Sequence, residues 1–280
     1  MAECLHSAIC VWSSMVETLA ERQQQYEACY NYQITKKLPL VIRVDGINFA
    51  RLTKNLSKPY DPLFMKCMAE AMRFTITEMS GAIFGYQQSD EITYVLRNDF
   101  ELDEEPWYGN CLQDIVSVTA SKTTKGFDKA LEALEDKLDL VGDPIFRAKA
   151  FTLPHIGETA NHLIWRQQDC TRSALNNAVK TELGKKLGKK NAFVLLDKKS
   201  SVDKKRLLFE YCDIDFDDYS SSYRNGVAIY KVPTIIELSD KESVTRNKWT
   251  LNWGLPSFLE EKDFLLNILI NGTDIFRIDK

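Results

Sequence analysis

The sequence predicts a mixed fold of strands and helices, an α/β or α+β sandwich with one core and a helical appendage. Three observations carry that prediction. Short apolar runs of strand character alternate with longer stretches of helical spacing. The run "FGYQQSDEITYVL", Phe84 to Leu96, is strand material carrying adjacent carboxylates, Asp90 and Glu91, at its mouth. No internal repeat, low-complexity tract or long linker divides the 280 residues, a length that suits one large domain with additions.

In chain order, Ser14-x-x-Glu17 has the spacing of a capping box and predicts a helix over 17–33. Met15, Leu19, Tyr26 and Tyr30 there offer one packing face. "LPLVIRVDG" (38–46) is a nearly continuous apolar strand of the kind buried on both faces. Asp61 as N-cap and Pro62 at the first position open a helix that leads through Gly81 and Gly85 into the acidic-mouthed strand. Residues 112–138 read as a helix, 143–154 as a strand and 158–183 as a helix ending in Gly184 and a lysine-rich loop. "RLLFEYC" (206–212) and "GVAIYKVPTIIEL" (226–238) read as late strands, and a terminal helix is expected after Pro256 and Ser257.

A content of 44% hydrophobic and 27% charged residues is that of an ordinary globular chain, and no apolar stretch is long enough to span a bilayer. The N-terminus lacks a basic leader region, which argues against a secretory signal. Seven scattered cysteines without CxxC spacing read as reduced, mostly buried thiols of an intracellular, cytoplasmic protein. Three histidines, without metal-ligand spacing, leave carboxylates or thiols to run any chemistry. The net charge of −4 excludes a protein that coats nucleic acid non-specifically. Residues 180–206, however, hold ten Lys/Arg against three Asp/Glu, a local +7 that fits either a phosphate contact or a solvated helix and loop.

Two acidic sites stand at strand ends. Asp45 closes one strand before Gly46, and Ser89-Asp90-Glu91 opens another. If those strands are antiparallel neighbours, Asp45 and Asp90 meet at one edge of the sheet. Carboxylates meeting there repel unless a cation intervenes. Hard oxygen ligands without histidine or thiolate favour Mg²⁺, and two such ions about 3.5–4 Å apart can clamp a phosphoryl transfer. The backbone amides of Gly46, Ile47, Asn48 and Phe49 would then be free to hold a triphosphate. A "DG" after a strand is equally an ordinary turn, and "SDE" an ordinary cap; on the residues alone both readings stand.

The ordered motifs decide further. "VIRVDGINFARLTK", "KPYD", "GYQQSDEITYVL", "WRQQDC", "VDKKRLLF" and "YRNGVAIYK" resemble the catalytic core of tRNA-histidine guanylyltransferases and the wider family of 3′–5′ polymerases, over 38–231. The resemblance implies an α+β fold, a palm-like antiparallel sheet with helices packed on it plus helical additions. It implies a catalytic domain (38–250), outside which the residues read as an N-terminal helical extension (1–37) and a C-terminal helical segment (251–280) that the family core does not explain. It further implies a Mg²⁺-dependent nucleotidyltransferase with two metal ions held by Asp45, Asp90 and the Gly46 carbonyl.

 Glu91 would support that site, and Asp45, Asp90 and Glu91 form its catalytic set. Gly46, Ile47, Asn48, Phe49 and Ser89 would contact the nucleotide, with Asp61 facing its base. GTP and ATP would be substrates, tRNA the acceptor, and a homotetramer the assembly, with no membrane partner.

The chain departs from the family pattern in three places. Ile47 stands where the family commonly has arginine, and Thr171 where it has a histidine, in a block (171–177) that keeps only Leu175 and Asn177. Lys204 is kept, followed here by Lys205 and Arg206, so these three and Arg172 become candidate RNA or phosphate contacts. Two other classes compete: a palm-type nucleotide cyclase or oligonucleotide-signal synthase, and a non-catalytic nucleotide- or RNA-binding relative.

Overall fold

The computed structural model describes residues 17–100, 103–239 and 242–276. Six strands form one antiparallel sheet: β1 (Leu40–Gly46), β2 (Ala82–Gln88), β3 (Glu91–Leu96), β4 (Phe146–Thr152), β5 (Val227–Ser239) and β6 (Glu242–Asn252). Their order is β4-β1-β3-β2-β5-β6. Leu40, Val41, Ile42 and Val44 of β1 are buried at 4% exposure or less, each worth about 1.5–3 kcal/mol relative to exposure. The expected strand buried on both faces is therefore present.

Helices cover both faces. α1 (Leu19–Ala28) precedes the sheet, and the single-turn α2 (Phe49–Leu52) follows β1. α3 (Pro62–Ile76) and α4 (Leu112–Glu132) pack on one face through Met68, Met72, Ile115 and Phe127, against Ile42, Val44, Ile92 and Tyr94. α3 starts as its sequence predicts: the Asp61 carboxylate accepts from the Leu63 and Phe64 amides at 3.0 and 3.1 Å, and Pro62 occupies the first turn.

The 32-residue α5 (Ile156–Leu187) is the spine of the second half, about 48 Å long. Its first turns lay Ala160, Leu163 and Ile164 on the other sheet face, beside α9 (Lys262–Asn271). Its later turns leave the sheet. There Ala174, Leu175, Ala178, Val179 and Leu183 form a separate core with α6 (Lys189–Leu196), α7 (Ser201–Cys212) and α8 (Ser221–Asn225).

Four expectations need correction. The capping box sits at Thr18 and Glu21, and α1 buries none of its residues, so Leu19, Tyr26 and Tyr30 face solvent; Ser14 and Met15 lie outside the described residues. "RLLFEYC" is helical, not a strand. Strand alternation would have sent Arg206, Leu208 and Glu210 to one face, whereas α7 buries the adjacent Leu207 and Leu208 and is capped by a reciprocal Ser200–Asp203 box. The terminal helix begins at Lys262, several residues beyond Pro256. Of the described cysteines, Cys67 and Cys170 are buried, Cys29 is exposed, and Cys111 and Cys212 are intermediate.

Candidate active site

The antiparallel register of β1 and β3 sets Asp45 opposite Glu91, and the Gly46 amide donates to the Asp90 carbonyl at 3.0 Å. The two acidic strand ends thus meet at one end of the sheet. β2 and β3 form a hairpin in which Gln88 pairs with Glu91, leaving Ser89 and Asp90 as the turn. Ser89 holds φ at +49° and Asn48 at +57°. Both are left-handed conformations, and the serine is the less accommodating of the two residue types. Backbone strain thus borders each carboxylate, as it often does at functional sites.

Gly46 is demanded by packing. A Cβ there would lie 2.2 Å from the Phe49 ring, which is buried among Phe64, Phe127 and Phe146 and has nowhere to go. Phe49 therefore serves the core with its side chain, and only its backbone can reach a ligand. The expectation that the Gly46–Phe49 amides are all free needs correction. Gly46 N–H is bonded to Asp90, and Ile47 N–H donates to the Ile145 carbonyl at 2.8 Å. Extending β1 to its last residue consumes them in sheet and loop contacts. The Asn48 and Phe49 amides lie at the start of α2, whose first-turn N–H groups have no intrahelical acceptor.

Burial pushes the Asp90 carboxyl above its ordinary range; its own amide and the Ser89 side chain oppose that, and the Asp45 charge adds to it. A carboxylate held ionised beside another in this setting is a site asking for positive charge. Arg43 and Arg147 stand 3.8 and 4.0 Å from Asp45, too far for a close pair. Among the described residues no group of three or more His, Cys, Asp or Glu is arranged to hold a metal. The donor set is instead two carboxylates with a neighbouring main-chain carbonyl, hard oxygen chemistry that fits Mg²⁺ completed by water or phosphate oxygens.

Glu91 is already partnered. Arg166 of α5, 6% exposed, donates to its two oxygens at 2.6 and 2.9 Å and to Asp169 at 3.0 Å. Gln88 adds a bond to Glu91 at 3.1 Å. Burial pushes the Glu91 carboxyl up, and the Arg166 guanidinium pulls back against it. The neighbouring Gln167 ties α5 to the chain's later part, donating to the Asn225 and Pro256 carbonyls and accepting from the Phe258 amide. The motif "WRQQDC" by itself assigns neither residue a role; its only local signal is a polar triplet inside a helical stretch.

These groups open onto a cavity of about 610 Å³, within the usual range for small-molecule sites. Asp45, Asp61, Ser89, Asp90 and Glu91 line one side; Asp169, Ser173, Asn177 and Lys180 of α5 line another, with Tyr60 stacked on Tyr223. Of the expected nucleotide contacts, Gly46, Ile47 and Asn48 are not in this lining, although Phe49 is. Asp61 is at the cavity with its oxygens engaged by the Leu63, Phe64 and Ser57 amides. Thr171 bridges α5 to α8, donating within reach of the Gln167 and Arg224 carbonyls at 3.1 and 2.9 Å.

The expected RNA contacts do not gather at the cavity. Arg172 pairs with Asp169. Lys204 donates to Asn176, Lys205 to Asp217, and Arg206 lies 3.4 Å from Asp203 and 3.8 Å from Glu210.

An antiparallel sheet under helices, with paired carboxylates at one end of two adjacent central strands, defines a palm-like nucleotidyltransferase class. Comparison with known proteins agrees. A family model described as tRNAHis guanylyltransferase matches residues 20–154, and one described as Thg1 C terminal domain matches 158–253. The chain belongs to the tRNAHis guanylyltransferase family, a family of nucleotidyltransferases. It is 28% identical over 179 residues to the uncharacterized protein R259 of Acanthamoeba polyphaga mimivirus, covering 57% of this chain and 61% of that one. It is 24% identical over 225 residues to a probable tRNA(His) guanylyltransferase of Homo sapiens, covering 75% of this chain and 74% of the human protein. A bacterial tRNA(His) guanylyltransferase-like protein solved in complex with ATP shares the fold: the TM-score is 0.76 at 24% identity, over 90% of this chain and 99% of the other. Among the described residues no helix is long and apolar enough to cross a membrane.

Proposed function

We propose that this chain is a Mg²⁺-dependent nucleotidyltransferase that adds nucleotides in the 3′–5′ direction to the 5′ end of tRNA, using GTP or ATP. The observation that carries the reading is the β1–β3 register, which sets Asp45 and the Asp90 turn side by side at the mouth of a cavity of nucleotide size. Asp45 and Asp90, with the Gly46 carbonyl, would hold two ions. Those ions, when bound, supply Lewis-acid stabilisation of the phosphoryl oxygens.

The chain's own residues do the rest. A 5′-phosphate oxygen of the RNA first attacks the α-phosphorus of a nucleoside triphosphate and releases pyrophosphate. The 3′-hydroxyl of an incoming nucleotide, giving up its proton to solvent, then attacks the activated 5′ phosphorus and expels the nucleoside monophosphate. The Phe49 amide, with that of Asn48 beside it, would meet phosphate oxygens in place of the four-residue cradle. Ser89 shapes the turn that presents Asp90. Asp61 retains lone pairs for a base amino group beyond its capping bonds. Arg166 holds Glu91, and through it the start of β3, so that Glu91 acts as a support and Asp90 as the ligand. The homotetramer is part of the same proposal, and sedimentation of the purified protein tests it.

The direct experiment mixes purified protein, Mg²⁺ and labelled nucleoside triphosphates with a 5′-truncated tRNA, beside a control without RNA. A product lengthened at its 5′ end is expected, and Asp90→Ala should abolish it. A cyclic nucleotide formed without RNA would overturn the reading in favour of a cyclase. Undiminished extension by Asp90→Ala would overturn the metal assignment.

A further inference from the structure

α6 and its link to α7 carry an unusual surface. Phe193 and Val194 lie 73% and 75% exposed on the outer side of α6, whose Ala192 and Leu196 are buried. Lysines flank them along the chain: Lys189 and Lys190 one turn before Phe193 on α6, Lys198 and Lys199 in the link, and Lys186 at the end of α5, all exposed. The ion pairs of this region are Lys185 with Glu182, Lys205 with Asp217, and Arg206 with Asp203 and Glu210. Among the described residues the five lysines around Phe193 form none.

The charge of the basic segment is thus divided. On α7 it is largely spent on neighbouring carboxylates; on α6 and the link it faces solvent, opposed by Asp197 within the stretch and, at Lys199, by the nearby Asp203. An aromatic ring among unneutralised lysines suits a polynucleotide, whose phosphates meet the ammonium groups while an unpaired base lies on the ring. Lys180 lines the cavity wall, and Lys186 follows it six residues later on the same helix, about 9 Å along the axis and about 120° around it.

We propose that α6 and the α6–α7 link bind the body of the acceptor RNA whose 5′ end enters the cavity, with Lys189, Lys190, Lys198 and Lys199 as phosphate contacts and Phe193 as a base platform. The proposal rests on the reading of the chain as an RNA-extending enzyme. It moves the RNA contact from Lys204, Lys205 and Arg206, whose partners are within the protein, to the unpaired lysines.

The test measures affinity of the full chain for a 5′-truncated tRNA by fluorescence anisotropy across a salt series. Changing Lys189, Lys190, Lys198 and Lys199 together to Gln should weaken binding at least about tenfold at physiological salt and flatten the log–log salt slope by about 3. Phe193→Ala should weaken it about fivefold or more with the slope unchanged. Changing Lys204, Lys205 and Arg206 to Gln should cost less than either. Circular dichroism checks the fold of each variant, and single Lys→Glu changes repeat the test where a multiple variant misfolds.

Unchanged affinity and slope in the four-lysine variant overturn the proposal. So does loss of binding to phosphatidylserine vesicles, or of self-association, with RNA binding intact, because the patch would then serve a membrane or a second copy. The two readings fail separately. Wild-type extension with an indifferent four-lysine variant removes this surface and leaves the proposed activity. RNA binding through the patch without any nucleotide addition does the reverse.

Discussion

The sheet end and the α5–α7 helical unit carry charge in opposite ways. At the sheet end, Glu91, Arg166 and Asp90 are withdrawn from water, and a guanidinium at 2.6 Å is what keeps Glu91 tolerable there. On α7 the cations reach exposed carboxylates such as Asp217. The same residue types differ in worth because exposed pairs are screened, while breaking a buried pair leaves an uncompensated charge. Sequence shows charge in both places; burial alone says where it matters.

The largest effect should come from Asp90. Asp90→Asn is expected to lower nucleotide addition about 10³-fold without lowering the melting temperature measured in the absence of Mg²⁺. The sign follows from its raised carboxyl: the folded state holds that proton more tightly than the unfolded chain, so stability falls as pH rises through the folded pKa. Asparagine never ionises and escapes that loss. A variant both inactive and markedly less stable would mean that Asp90 is structural.

Arg166→Met comes next, costing roughly 3 kcal/mol in denaturant unfolding because Glu91 loses its bidentate partner in a buried setting and keeps only Gln88 and, at 3.6 Å, Arg43. The double change with Glu91→Gln should recover part of that loss. If the double variant is no better than the single, the pair is not the source of the cost.

His162 offers a smaller, pH-dependent contrast. Burial, and then the Arg166 and Arg43 charges, push it down to about 4. Its contribution is therefore fully present above about pH 6.5 and lost as pH falls through about 4. His162→Phe should flatten the acid limb of the stability–pH curve, which thermal melts across that window measure. An identical acid limb in the variant would place the acid sensitivity elsewhere.

Lys205→Ala on α7 should change stability by less than about 1 kcal/mol. A larger loss in a chemical melt would remove the contrast between the two regions, or point to the Lys205 stem over the Phe216 ring.

Much of the fold was legible locally. Asp61-Pro62 marked the start of α3, an apolar run marked β1, and the acidic strand ends do meet in the β1–β3 register, since capping and burial patterns are written within a few residues. "RLLFEYC" misled because a short run of apolar and aromatic residues fits a strand or a buried helix; the capping box at Ser200 and Asp203 was the discriminating sign. α1 had helical spacing without a surface to bury it.

By itself, then, the sequence determined the antiparallel α+β class and the family, and it singled out Asp45 and Asp90 as the chemical centre proposed here. Only the tertiary structure decided that Arg166 would claim Glu91 from 75 residues away, that the Gly46 and Ile47 amides would be spent on backbone carbonyls, and that Lys204 and Lys205 of α7 would reach Asn176 and Asp217. Each of these is a contact between segments distant in the chain, where partner and burial depend on how elements pack and not on the residues beside them.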